Sequence, residues 1–184
     1  MRAGILGARG EVAEASRELA IAVDPSNLEG EASFQSLARA AFVYLGLGRG
    51  DEASTFLSDV LGLDERMIPL LNDSAIVDAA WTAHDLGRAY EYAERLDTGQ
   101  VRSSWVTAAR AICAGDFRAA AETCEAMGYR PGEAYARLRY AGQLVEEGRR
   151  GEADVQLQRS LAFWREVGAT RYVREGEALL AASA

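Results

Sequence analysis

The chain has 184 residues, 49% apolar and 26% charged, which is enough to bury a continuous core and is ordinary for a folded domain. Its net charge of −8 argues against partners that are themselves dense in negative charge, since nucleic-acid binders gain affinity by neutralising phosphates and anionic membrane surfaces select basic ones. No run approaches the roughly 20 apolar residues needed to cross a bilayer, and the short, soon charged start is not that of a signal peptide, so a cytoplasmic location is expected.

In chain order, residues 1–7 read as the end of a first helix and 10–23 as its partner. Helices are then expected over 29–46 and 51–62. The stretch 63–73 reads as irregular, because Pro69 cannot sit inside a regular helix. Asp73 or Ser74 is placed to cap a helix over 74–86, and 88–97 returns from it. Further helices are expected over 99–114, 116–127, 132–147 and 150–167, with Gly128 and Pro131 marking a break. A last helix over 169–182 carries Tyr172, Val173, Ala178, Leu179 and Leu180 to lay on the preceding pair as a cap. Nothing reads as a strand or a linker, so the fold class is all-α and the chain a single domain over 1–184.

A spaced pattern runs through these helices. Ala3, Gly10, Ala15 and Leu19 recur as Ala41, Gly48, Ala53, Leu57, as Ala80, Gly87, Tyr92, Leu96, as Ala108, Gly115, Ala120, Cys124 and as Ala141, Gly148, Ala153, Leu157. Successive glycines lie 38, 39, 28 and 33 residues apart, a period suited to a two-helix unit. The physical reading is that an alanine on each helix lets the two axes approach to about 8–10 Å. The glycine ends the first helix in a left-handed conformation, and the leucine points into the pair. One such pair cannot bury both faces, so units must stack.

This spacing resembles the tetratricopeptide repeat, and Val23-Asp24-Pro25-Ser26-Asn27 and Leu47-Gly48-Arg49-Gly50-Asp51-Glu52-Ala53 look like that family's turns. The stretch from Ala114-Gly115-Asp116-Phe117 to Val173-Arg174-Glu175-Gly176-Glu177-Ala178-Leu179-Leu180 resembles the C-terminal helical tails of bacterial multidomain ATPase and cyclase signalling regulators. The resemblance implies about five antiparallel helix-hairpin units in an α-solenoid, with a first unit truncated at the N-terminus. It implies a non-catalytic module that binds a protein or peptide segment in a signalling or regulatory pathway. In that register the first helix of each pair lines a concave groove, which nominates Phe42, Trp81, His84, Arg102 and Trp105. Tryptophan and arginine often dominate binding energy at interfaces. The competing reading makes both tryptophans core filler between hairpins, with Arg102 solvated outside. Other readings are a sensor enclosing a small anionic or aromatic ligand between Trp81, Arg102 and Trp105, and a separately encoded fragment of a larger ATPase or cyclase. The open N-terminal end is expected to support a homodimer through residues 1–46.

The residues offer little to catalysis. His84 is the single histidine and has no second imidazole for a metal. Gly46-Leu47-Gly48-Arg49-Gly50 follows a helix and lacks the lysine and hydroxyl residue of a phosphate loop. Cys113 and Cys124 read as free thiols in a reducing compartment. No metal or cofactor is expected, and no enzymatic activity.

Overall fold

The structure is a computed structural model and describes residues 2–24, 31–63, 73–97 and 103–182. Among them are eleven α-helices and no strand. In order these are α1 (Arg2–Arg9), α2 (Val12–Ala22), α3 (Glu31–Gly46), α4 (Gly50–Gly62), α5 (Ala75–Asp85) and α6 (Ala89–Asp97). Then follow α7 (Ser104–Cys113), α8 (Phe117–Ala126), α9 (Arg130–Glu146), α10 (Arg150–Glu166) and α11 (Thr170–Ala182). Most of the irregular stretch expected around Pro69 lies outside the described residues, and the helix expected over 99–114 begins only at Ser104, because Ser103 is extended and serves as its cap.

Two expectations about helix starts are settled locally. Of the two cap candidates before α5 it is Asp73 that serves, its Oδ1 accepting the Ala75 N–H at 2.7 Å, while Ser74 makes no side-chain cap bond. Pro131 does not stand outside its helix: α9 begins at Arg130, with the proline in its first turn. A first-turn proline loses no helical hydrogen bond, since the N–H it lacks would have had no intrahelical acceptor.

The helix ends share one device. After α3 the Arg49 N–H reaches back to Tyr44 O at 2.9 Å and the Gly48 N–H to Leu45 O at 3.0 Å, with Gly48 at φ +75°. These nested bonds satisfy the last carbonyls of the helix and need a residue that tolerates the left-handed conformation. The same pair closes α9, from Arg149 to Leu144 O at 2.8 Å and from Gly148 to Val145 O at 3.0 Å. A Cβ at position 48 would meet nothing within 4 Å, so any loss on substitution is conformational. Gly48→Ala is expected to lower stability by about 1–2 kcal/mol in chemical denaturation. An unchanged midpoint would mean that the turn relaxes into another form.

The helices fall into two compact units, Met1–Gly7 with Glu11–Gly115, and Ala8–Gly10 with Asp116–Ala184. In the first unit α3 packs on α4 and α5, α5 on α6 and α7, and α6 on α7. Its near end is closed by α1, where Gly4 and Gly7 lie against Val43, and by Leu19 of α2, in a cluster with Ala3, Ala40, Tyr44 and Ala53. Ile5, Val12 and Ile21 of α1 and α2 remain exposed. In the second unit α9 packs on α8 and α10, and α11 lies on α10 and α9. There Tyr172 is buried, its ring 4.4 Å from that of Trp164 and 5.4 Å from that of Tyr135. A Cβ at Gly176 would come within 2.7 Å of Leu161 Cδ2, which shows how closely α11 seats on α10.

Apart from its glycines, which sit at the helix ends, the recurring pattern lies in the interior of these units. Ala3, Ala41, Ala80, Ala108 and Ala141 are all buried. So are Ala15, Ala53, Ala120 and Ala153 at the second small position and Leu19, Leu57, Leu96, Cys124 and Leu157 beyond it. The exception to the small-residue rule, Tyr92, is also fully buried, and its hydroxyl donates to Ile76 O at 3.1 Å.

Candidate functional site

The five residues nominated from the sequence take different places. Trp81 lies in the middle of α5 with 2% of its surface exposed, among positions from Ala75 to Ala83 that are all buried except Asp78. It is part of the core of the first unit and presents almost no surface to a ligand. Trp105 stands in the first turn of α7, where Ser103 Oγ accepts the Val106 N–H at 3.2 Å and caps the helix, and its ring is half-buried. His84 occupies the last turn of α5, half-buried, with Nδ1 3.1 Å from Asp85 Oδ1. Phe42 is half-buried on α3, and Arg102 lies outside the described residues.

His84 and Trp105 belong to helices that pack together, but the two side chains do not converge. The His84 imidazole sits beside the turn that ends α7, its Nε2 3.9 Å from the place a Cβ on Gly115 would take. Trp105 precedes Gly115 by ten residues. At about 1.5 Å of rise per helical residue, that separation is about 15 Å along α7. The two stand near opposite ends of α7 and do not form a shared cavity.

A concave feature that the spacing did not reveal lies in the second unit. Between α9 and α10 is a cleft of about 290 Å³ lined by Arg130, Glu133, Ala134, Arg159, Ala162, Phe163 and Glu166. Two alanines leave its space, and ion pairs span it. Arg130 holds Glu166 with bonds of 3.2 and 2.5 Å and lies 5.0 Å over the Phe163 ring, while Arg159 Nη2 is 3.1 Å from Glu133 Oε1. The bond from Arg130 holds the Glu166 carboxyl below its ordinary range. Acid and base thus balance around an aromatic face, an arrangement fitted to a mixed polar and apolar contact. Arg130 and Glu166 are 36 residues apart, so no local periodicity could have paired them.

Behind this cleft Arg137 is buried and fully engaged. Its Nε donates to Glu133 Oε1 at 2.8 Å, Nη1 to Gln156 Oε1 at 2.7 Å and Nη2 to Glu125 Oε2 at 2.8 Å, tying α8, α9 and α10 together. The Glu125 carboxyl is held below its ordinary range by a bond from Arg159 and by the charges of Arg159 and Arg137. Cys113 and Cys124 are free thiols, each pushed up to about 12 by burial, which leaves little thiolate for chemistry near neutral pH. Among the described residues no three His, Cys, Asp or Glu side chains gather in a way that could hold a metal ion, and no helix is long and apolar enough to cross a membrane.

Comparison with protein-family models, with curated proteins and with solved structures finds no match to this chain.

Proposed function

We propose that the chain is a non-catalytic, tetratricopeptide-like helical-repeat module that binds a protein or peptide segment in a bacterial signalling or regulatory pathway. The observation that carries this reading is the burial of the alanine, tyrosine, leucine and cysteine positions of the recurring pattern, together with the glycine turn that repeats at the helix ends. The recurring alanines and leucines are spent on packing, which leaves the exposed positions between them for recognition. Repeat architectures of this kind present extended faces for recognition. In this reading the binding face includes α5 and α7, with Trp105 as its aromatic anchor.

The test is affinity capture from native extract with the wild type, Trp105→Ala and Phe163→Ala, each checked for unchanged helical circular dichroism. A specific partner retained by the wild type and by Phe163→Ala, but reduced at least tenfold by Trp105→Ala, is the expected result; loss of about 2 kcal/mol at an aromatic anchor gives a change of that order. Loss with Phe163→Ala alone would move the face to the α9–α10 cleft. A chain that retains no partner in any form would contradict the reading.

A further inference from the structure

Where α3 packs on the start of α5, one guanidinium faces two carboxylates. Arg39 Nη2 donates to Asp73 Oδ1 at 3.3 Å and to Ser74 Oγ at 3.2 Å, and that same Asp73 oxygen caps α5 through the Ala75 N–H. Arg39 Nε lies 3.9 Å from Asp78 Oδ2, too far for a hydrogen bond. This Nε is buried and has no acceptor among the described residues. The Asp78 side chain is itself only 16% exposed. Arg39 therefore serves the cap of α5 while leaving its inner N–H and the Asp78 carboxyl short of each other.

We propose that this junction is a proton-operated latch on α5: with Asp78 protonated Arg39 stays on Asp73 and Ser74, and with Asp78 ionised the guanidinium is drawn to it and the cap loosens. Among the described residues the groups that face Asp78 are Arg39 from α3, Asp73 from the segment leading into α5, and Tyr92 from α6, with Cys113 of α7 beyond the phenol. Burial carries the Asp78 carboxyl up to about 7, against the pull of Arg39 and with the push of Asp73. Burial also holds Tyr92 well above its usual range and Cys113 at about 12, so neither titrates near neutrality. The sign follows from proton linkage. The folded chain keeps on Asp78 a proton that the unfolded chain releases near 3.8, so the stability this carboxyl contributes is full below that value, falls as pH rises and is gone just above 7.

The experiment is a carbon-detected NMR titration of the aspartate carboxyls, with amide-exchange protection of the first turn of α5, on the wild type, Asp78→Asn and His84→Gln. The Val77 and Asp78 amides both bond to Ser74 O at 3.0 Å and report that turn. The expected result is an Asp78 carboxyl that titrates near pH 7 and a severalfold fall in the protection of those amides from about pH 6 to about pH 8. The fall should persist in His84→Gln and vanish in Asp78→Asn. A carboxyl that titrates below about pH 5, constant protection in the wild type, or an equal fall in Asp78→Asn would each overturn the latch. Should Asp78→Asn fail to fold, the wild-type titration and protection decide by themselves.

Discussion

Arg137→Ala is expected to destabilise the chain by about 3 kcal/mol in chemical denaturation, more than an ordinary surface arginine by a wide margin. The side chain is 6% exposed and donates to three acceptors on α8, α9 and α10, so its removal opens a hole and leaves Glu133, itself 20% exposed, with a diminished set of donors. Arg159 also reaches Glu125 and Glu133, which keeps the penalty below that of an isolated buried charge. Arg137→Lys is expected to recover less than half of the loss, because one ammonium cannot reproduce a planar fork that reaches three side chains. A midpoint within about 0.5 kcal/mol of wild type for Arg137→Ala would mean that solvent replaces the network without cost.

Tyr92→Ala is the second large effect, and it opposes what the repeat alone suggests. Four of the five pattern units carry alanine at this place, so a consensus argument makes the substitution harmless. The structure gives the reverse. The ring is fully buried in α6 against α5 and α7, and its hydroxyl satisfies Ile76 O. Truncation to alanine should cost about 3–5 kcal/mol through the cavity it leaves. Tyr92→Phe keeps the packing and gives up one hydrogen bond, for a loss of about 1 kcal/mol. Equal and small losses in the two variants would show that α6 collapses onto the gap, as a true alanine position would allow.

These two residues show where the sequence was legible and where it was not. Helix ends could be read because a glycine with two nested hydrogen bonds is a local device, and Gly48, Gly87, Gly115 and Gly148 all adopt the positive φ their spacing suggested. The buried alanines and leucines could be read because their periodicity is that of one helix face against another. Tyr92 departs from the alanine of the other four units, and nothing local says that a phenol will find Ile76 O across the pair. The proposed groove set mixed roles for the same reason. A shift of about one residue rotates a helix by about 100°, which is enough to take Trp81 from a groove to the core. Arg137, Glu125 and Gln156 come from three helices, and their meeting depends on how those helices stack, which no spacing within one helix encodes.

The most direct measurement for the central reading is hydrogen exchange by mass spectrometry on the whole chain, with and without the partner fraction retained in affinity capture. New protection is expected on α5 and α7, strongest in the peptide that contains Trp105, with α4 and α6 unchanged. Protection confined to α4 and α6, or none anywhere on the chain, would contradict a recognition face built on the first helix of each pair.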